Sequence, residues 1–148
     1  MFWDDVTVSL PIVHGNAGCL IKKNGLILAV KHAGSGKWDI PSGRPESESE
    51  LAHETARRET LEETGLDVEI IRLINIFREE HNPSQAFYVY LCKIIPPMTD
   101  ADLTLLPITQ EEIVEAKFID IELLNHDNVR FPEALPLIKG LFKDLPES

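Results

Sequence analysis

The chain has 148 residues, 43% of them hydrophobic and 26% charged, a balance that suits one folded domain over residues 1–148 and excludes a disordered chain. A formal net charge of −11 and a pI near 4.8 argue against a nucleic-acid polymer or an anionic membrane surface as the main partner. No apolar run approaches the ~20 residues that a membrane span needs.

The N-terminal stretch and the two cysteines indicate the location and the redox state of the protein. The stretch MFWDDVTVSL at the N-terminus lacks the basic-then-apolar order of a signal peptide, so we expect a cytoplasmic protein without a membrane partner. Cys19 and Cys92 both lie inside apolar, strand-like runs. We therefore predict two buried free thiols rather than a disulfide or a metal pair.

The first predicted element is a β-hairpin over residues 17–31. Two apolar runs, residues 19–21 and 26–30, flank the pair Asn24-Gly25, and both residues of that pair tolerate the positive φ of a tight hairpin turn. The second run is almost entirely apolar. It is therefore predicted to lie in a sheet that is covered on both faces.

A loop rich in glycine, serine and proline, residues 32–49, precedes a predicted helix. Ser47 followed by Glu50 fits a capping box, so the helix is expected to begin near Ser47. Gly65 fits a left-handed cap at the other end. The small residues that would let this helix lie close to a sheet are Ala52 and Ala56.

Three further strands and a second helix complete the predicted fold. Residues 67–80, 85–95 and 113–121 are predicted strands, and residues 94–109 form a proline-containing connection. The tail, residues 131–145, has the pattern of an amphipathic helix that Pro136 either starts or kinks. In the strand at 85–95, alternation places Phe87, Val89 and Leu91 on one side and Tyr88, Tyr90 and Cys92 on the other. The element order predicts an α+β or α/β sandwich.

The first helix concentrates charge in the segment RRETLEE, residues 57–63. Glu59, Glu62 and Glu63 are spaced i, i+3 and i+4, so their side chains share one face. Three carboxylates on one face repel each other unless divalent cations lie between them, and oxygen ligands are those that Mg²⁺ and Mn²⁺ prefer. The spacing therefore indicates a metal site.

Two neighbours of the acidic face belong to the same hypothesis. Arg58 is placed to brace Glu62 or Glu54, each four residues away. The preceding segment Pro41-Ser42-Gly43 is expected to bring backbone groups to the acids, where a carbonyl oxygen would complete a coordination sphere.

This arrangement resembles the Nudix box, the motif of the Nudix hydrolases. That motif is Gly, five residues, Glu, seven residues, Arg-Glu, an aliphatic residue, any residue, Glu-Glu, any residue, Gly and an aliphatic residue. Here Glu50 is followed by seven residues and then by RETLEETGL, residues 58–66, so every charged position matches. The segment WDIPSG, residues 38–43, is similar to the sequence that precedes the box in many members.

The sequence departs from the motif in two places. Six residues instead of five separate Gly43 from Glu50, which puts in doubt the carbonyl of Gly43 as a metal-facing group. Thr60 stands where an aliphatic residue is usual, a mild change on a helix face that packs against a sheet.

The resemblance implies the Nudix fold, an α+β fold in which an α/β/α sandwich has a mixed β-sheet, the helix of the box on one face and a C-terminal helix. It also implies an enzyme that uses water and Mg²⁺ or Mn²⁺ to cleave a diphosphate linkage in a nucleoside diphosphate joined to another group X. It implies Glu59 and Glu63 as metal ligands, with Glu62 as a third ligand or as a group that activates water. It further implies that Arg58 orients the acids and that Glu50 supports the arrangement. Its small-molecule substrate would be a nucleotide derivative, and a homodimer is left open.

A solvated helix and a zinc site are alternative interpretations of the charged segment and of the histidines. A solvated helix with Arg–Glu pairs explains residues 57–63 alone, but not their register with Glu50, Gly65 and the segment WDIPSG. The zinc motif HExxH fails, because Arg57 stands where the second histidine belongs. The remaining histidines are scattered and are expected at the surface or in hydrogen bonds; they are His14, His32, His81 and His126.

Two points stay open at the level of sequence. Glu112 or Glu115 is a candidate for an additional metal ligand or base, or part of a solvated turn, since many Nudix members place such a group on a loop near that position. The substrate is undecided: Pro83 lies near the position of a proline in some ADP-ribose hydrolases, and residues 38–46 resemble members that act on oxidised guanine nucleotides. Trp38 is expected to pack rather than to stack on a base, and Phe87 and Tyr88 to be sheet residues.

Two classes of function fit these observations. The first is a metal-dependent diphosphate hydrolase, and the alternative is a Nudix-like module that binds a nucleotide without cleaving it. Because such modules usually lose one or more acids of the box and this chain keeps all of them, the sequence favours the enzyme.

Overall fold

The structure is a computed structural model and describes residues 10–78, 85–95, 105–108 and 111–148. Its elements in chain order are β1 (Asn16–Leu20), β2 (Lys22–Lys23), β3 (Leu26–His32), β4 (Trp38–Asp39), β5 (Ser42–Gly43), α1 (Ala52–Thr64), β6 (Val68–Arg78), β7 (Ala86–Ile94), β8 (Ile113–Ile119) and α2 (Leu135–Lys143). Short 3₁₀ turns, Ile121–Leu123 and Pro132–Ala134, connect β8 to α2. Within the described ranges no helix is both long and apolar enough to cross a membrane.

Two four-stranded sheets form the centre of the molecule. The first is mixed, in the order β5-β1-β7-β6, with β1 parallel to β7 and the other neighbours antiparallel. In the second, β2, β4 and β8 all pair with β3 in antiparallel fashion. The predicted mixed sheet is therefore confirmed, and a second sheet accompanies it.

The predicted hairpin joins β2 to β3. Asn24 has φ 53° and Gly25 has φ 76°, so both turn residues adopt the left-handed conformation that the sequence predicted. Residues 27–30 of β3 are buried without exception. This confirms a strand covered on both faces.

Each face of the sheets carries a hydrophobic core with one helix over it. Helix α1 covers the first core through Ala52 and Ala56, which are fully buried, and α2 covers the second through Phe142. Strand β7 divides as predicted, with Tyr88, Tyr90 and Cys92 in the first core and Phe87, Val89 and Leu91 in the second. Both cysteines are buried and free. The α/β/α sandwich is confirmed.

The predicted start of α1 is wrong by five residues. The helix begins at Ala52, whose N–H donates to the Val13 carbonyl at 2.7 Å, and the Leu51 N–H donates to Glu54 Oε1 at 2.9 Å. Ser47 and Glu50 form only a backbone turn at 3.2 Å. Glu50 does not form the expected capping box with Ser47 because its carboxylate binds Arg58 of the helix. The preceding loop also contains the short strands β4 and β5.

The C-terminal end of α1 and the N-terminal end of α2 agree with the sequence prediction. Gly65 has φ 79° and donates to the Leu61 carbonyl at 2.8 Å, and a Cβ atom there would lie 2.7 Å from the Leu106 carbonyl oxygen. Glycine is thus required both for the conformation and for the space. Pro136 lies in the first turn of α2 and starts that helix. His81, Pro83 and most of the predicted connection at 94–109 lie outside the described residues.

Candidate active site

The loop before α1 is held close to the helix by an unusually tight strand contact. Gly18 of β1 pairs with Ser42 of β5, and the Cys19 N–H donates to the Pro41 carbonyl at 3.0 Å. A Cβ atom at Gly18 would lie 2.7 Å from the Pro41 oxygen and 2.8 Å from Ser42 Cβ. Since no larger residue fits there, the glycine allows the segment 41–43 to reach the acidic helix.

Gly43 meets the acidic face directly. A Cβ atom at this position would overlap the carboxyl group of Glu59, so the backbone of Gly43 lies against that carboxylate. The extra residue between Gly43 and Glu50 is absorbed within the loop, where the Glu46 N–H donates to Glu50 Oε1 at 3.1 Å. The insertion therefore does not move Gly43 away from the acids.

Glu63 is the most buried acid of the helix, with 2% of its surface exposed. Its Oε1 accepts a hydrogen bond of 2.9 Å from the Ser42 N–H. Burial raises the pKa of Glu63 to about 8, against the lowering effect of that hydrogen bond, and the charges of Glu59, Asp39 and Glu112 raise the pKa further. A buried carboxylate surrounded by other acids is a group that a cation would stabilise.

Arg58 organises the remaining acids. Its Nε and Nη2 donate to both oxygens of Glu50 at 2.9 Å, and its Nη1 donates to Glu59 Oε1 at 2.9 Å and lies 3.2 Å from Glu62 Oε2. The hydrogen bonds from Arg58 lower the pKa of Glu50 to about 2. Of the two predicted partners of Arg58, Glu62 is in contact, whereas Glu54 binds the Leu51 N–H instead.

The three acids share one face of α1, but their carboxyl groups point to different partners. Arg58 holds those of Glu59 and Glu62, and the Ser42 N–H holds that of Glu63. Across the described ranges, no three side chains of His, Cys, Asp or Glu are gathered closely enough to hold a metal ion as they stand.

The chemistry of the site nevertheless fits a hard divalent cation. Every candidate donor is an oxygen, from the carboxylates of Glu59, Glu62 and Glu63 and from the carbonyl of Gly43, and these are the ligands that Mg²⁺ and Mn²⁺ prefer. Burial raises the pKa of Glu59, Arg58 lowers it, and the charges of Glu62 and Glu112 raise it again. The acids are thus crowded enough to repel each other.

The structure distinguishes between Glu112, which precedes β8, and Glu115, which lies on it. The charge of Glu112 raises the pKa of both Glu59 and Glu63, so Glu112 lies within electrostatic range of these two acids. Glu115 lies on β8 and pairs with Lys117 Nζ at 2.8 Å. Of these two, Glu112 is the one positioned near the proposed metal ligands.

Several other sequence predictions concern residues near the site. Thr60 is fully buried, and its hydroxyl donates to the Ala56 carbonyl at 2.7 Å, so the departure from an aliphatic residue leaves no polar group unsatisfied. His53 packs its ring edge against Tyr90, which agrees with the failure of the zinc motif. His14 Nδ1 is 2.8 Å from the Glu50 carbonyl oxygen, as expected for a hydrogen-bonded histidine.

Sequence reasoning missed Asp39. This residue is part of the segment WDIPSG, where a single carboxyl group among apolar residues was the available signal. Its Oδ2 lies 3.4 Å from Ser42 Oγ and 3.5 Å from Arg130 Nη1. Burial raises its pKa to about 6, although Arg130 and hydrogen bonds from Ile40 and Ser42 lower it. Asp39 lines a cavity on the face of the sheets that α2 covers.

The raised pKa of Glu63 predicts how the stability of the metal-free protein depends on pH. The folded protein binds the Glu63 proton more tightly than the unfolded chain, so this contribution to stability is complete below pH 4.5 and is lost as pH rises towards about 8. We therefore compare the melting temperatures of Glu63→Gln and the parent in the presence of a chelator. The difference, variant minus parent, should increase between pH 5 and pH 8. A difference that is constant with pH would contradict the buried, protonated state of Glu63.

Comparison with known proteins identifies the family. A family model described as the NUDIX domain matches residues 13–138, which is most of the chain. A protein of Streptomyces ambofaciens named "MutT-like protein" is 32% identical over 77 residues, an alignment that covers 52% of this chain and 49% of that protein. The chain belongs to the Nudix hydrolase family, although it spans only about half of this relative.

Solved structures agree with that fold. An ADP-ribose pyrophosphatase from Streptococcus suis superposes with a TM-score of 0.66 at 22% identity, over 91% of this chain and 96% of that one. A NUDIX hydrolase from Nitrosomonas europaea gives 0.68 at 23% identity, over 93% and 76%. A UDP-X diphosphatase gives 0.68 at 20% identity, over 97% and 69%. At these identities the likeness establishes the fold and not the substrate.

Proposed function

We propose that this protein is a metal-dependent hydrolase that cleaves a diphosphate linkage in a nucleoside diphosphate joined to a second group X, by attack of water at phosphorus. The observation that supports this best is the contact of the Gly43 backbone with the Glu59 carboxylate beside buried Glu63. The carbonyl of Gly43 and the carboxylates of Glu59 and Glu63 would supply oxygen ligands there, which are those that a divalent cation such as Mg²⁺ prefers.

Each residue of the box has a part in this proposal. Glu59 and Glu63 would hold the cation together with the Gly43 carbonyl, and Glu62 would either join them or orient the attacking water. Arg58 and Glu50 hold the acids in place through the bidentate pair between them. Glu112, whose charge raises the pKa of both Glu59 and Glu63, would be the additional acid of the site. A bound Mg²⁺ or Mn²⁺ would neutralise charge on the phosphoryl oxygens and lower the pKa of a water molecule.

The substrate class follows from the same reasoning and from the comparisons. Two proteins of this fold are named an ADP-ribose pyrophosphatase and a UDP-X diphosphatase, which supports a small nucleoside diphosphate derivative as the substrate. The net charge of −11 means that the acids need a cation before an anionic substrate can approach. A cytoplasmic location and a homodimer remain predictions.

The proposal is tested with a panel of nucleoside diphosphate derivatives in Mg²⁺, in Mn²⁺ and in a chelator. We expect hydrolysis of at least one compound only with a cation, with a rate that increases above neutral pH because the attacking water must lose a proton. In ¹⁸O-labelled water the label should enter a phosphate product. Full turnover after exhaustive chelation, or label on a carbon centre, would overturn the mechanism. Binding without turnover of any compound would favour the nucleotide-binding module.

A further inference from the structure

The segment 105–108 runs along the C-terminal end of α1 and bonds to the helix through its backbone. The Leu106 N–H donates to the Thr64 carbonyl at 3.0 Å, and the Ile108 N–H donates to the Glu62 carbonyl at 2.7 Å. The last carbonyls of a helix have no partner within the helix, so these two bonds satisfy them from outside. Since Leu106 and Ile108 are 60% and 64% exposed, the contact is made by the backbone and not by these side chains.

Gly65 allows the segment to approach the helix this closely. A Cβ atom at Gly65 would lie 2.7 Å from the Leu106 carbonyl oxygen and 3.4 Å from the Leu106 nitrogen. Both atoms belong to the backbone, which cannot swing aside as the end of a flexible side chain can. A larger residue at position 65 would therefore push the segment away from the helix. On its other side the segment is fixed by Leu105, which packs against the first core.

The segment connects two parts of the proposed metal site. At one end it bonds to the last turn of α1, the turn that carries Glu63. At the other end the chain continues to Glu112, whose carbonyl accepts a hydrogen bond of 2.8 Å from the Ala33 N–H. Glu112 lies within electrostatic range of Glu59 and Glu63. The position of Glu112 relative to the acidic helix thus depends on the Ala33 contact and on the segment 105–108.

We propose that Gly65 and the segment 105–108 form a positioning element that holds Glu112 at the acidic helix, so that a backbone contact without any ligand atom sets the metal affinity of the site. Ligands of a metal site need to be held within about 0.5 Å of their productive positions. A displacement of the segment by one methyl group is of that size. The inference rests on the proposed function, since it takes Glu59, Glu63 and Glu112 as groups that hold the cation.

Gly65→Ala and Gly25→Ala test this inference as a matched pair. The two glycines have φ 79° and 76°, so alanine is strained to a similar degree at both, but a Cβ atom at Gly25 meets nothing within 4 Å. The dissociation constant for Mn²⁺ is measured without substrate by electron paramagnetic resonance of the free ion. We expect Gly65→Ala to bind Mn²⁺ roughly 10-fold more weakly than the parent, the loss typical of a group that orients a metal ligand. Gly25→Ala should bind as the parent does, and equal affinities in all three proteins would overturn the proposal.

A double-mutant cycle shows whether the effect passes through Glu112. If it does, Gly65→Ala weakens Mn²⁺ binding in the parent but has little further effect in Glu112→Gln, because the two changes remove the same interaction. Equal losses in both backgrounds would contradict positioning of Glu112. A merely structural role of Gly65 would lower the stability of the metal-free protein and leave the Mn²⁺ affinity of the folded protein unchanged, which would also overturn the proposal.

A second pair of variants acts on the segment itself. Ile108→Pro removes the N–H that the Glu62 carbonyl accepts, whereas Ile108→Ala keeps that N–H and shortens an exposed side chain. We expect the proline variant to weaken Mn²⁺ binding as Gly65→Ala does, and the alanine variant to bind as the parent does. The same affinity in both variants would count against the backbone contact. Should Gly65→Ala fail to fold, this pair decides the inference.

The two proposals can fail separately. If the parent binds Mn²⁺ and hydrolyses a diphosphate derivative while all the variants keep its Mn²⁺ affinity, the enzymatic proposal stands and the positioning element falls. If the affinities follow the expected pattern but no compound is hydrolysed, the reverse holds. A parent protein that binds no Mn²⁺ would overturn both.

Discussion

Glu63→Gln should lose most of the stabilisation that Mg²⁺ or Mn²⁺ gives to the folded protein, together with most of its hydrolytic activity. A cation that binds only the folded state stabilises it by ~2.7 kcal/mol at a hundredfold excess over its dissociation constant. Glutamine keeps the shape and can still accept the bond from Ser42 that Glu63 accepts at 2.9 Å, but it removes the charge that the cation needs. Melting temperatures with and without cation measure the effect without a known substrate.

The metal-free proteins provide the second half of this experiment. Glu63 is buried beside Glu59 and Glu112, whose charges raise its pKa, so the glutamine variant without metal should melt at the same temperature as the parent or higher. Glu48→Gln, in the exposed loop before the helix, is the matched control and should respond to the cation as the parent does. A small and equal response in all three proteins would count against a metal site at Glu63.

Arg58→Ala should destabilise the metal-free protein far more than the same change at the neighbouring Arg57. Arg58 is 20% exposed and binds Glu50, which is 14% exposed, so its removal leaves partly buried acids without their counterion. We expect a loss of about 2–4 kcal/mol, somewhat below that for a fully buried pair. The side chain of Arg57 is 52% exposed in its pair with Asp67, and its loss should cost about 0–1 kcal/mol. Urea denaturation at neutral pH measures both.

A lysine at position 58 separates charge from geometry. Arg58→Lys keeps the positive charge but cannot make the two parallel bonds of 2.9 Å to Glu50, so its stability and its turnover should fall between those of Arg58→Ala and the parent. Equal losses for Arg57→Ala and Arg58→Ala would show that Arg58 is an ordinary surface arginine. A full rescue by lysine would show that charge alone matters.

Much of the fold was predictable because its signals are local. The positive φ of Asn24 and Gly25, the alternation along β7 and the left-handed conformation of Gly65 each depend on a few consecutive residues and on their steric preferences. The charged positions of the Nudix box are local as well, since helical spacing alone places Glu59, Glu62 and Glu63 on one face. The sequence by itself therefore determined the family, the sandwich and the acidic helix.

The tertiary structure decided how those residues are used, because long-range contacts leave no periodic signal in the sequence. Arg58 binds Glu50, eight residues away, and not Glu54, and this same contact removes Glu50 from the predicted cap. Glu63 is buried where Ser42 of β5 donates to it, and the approach of Ser42 depends on the space at Gly18. Asp39 lies 3.5 Å from Arg130, 91 positions along the chain, beside a cavity whose walls come from strands and helical segments that are far apart in sequence. Pairing of distant strands and burial of charge are decided only when the whole chain packs.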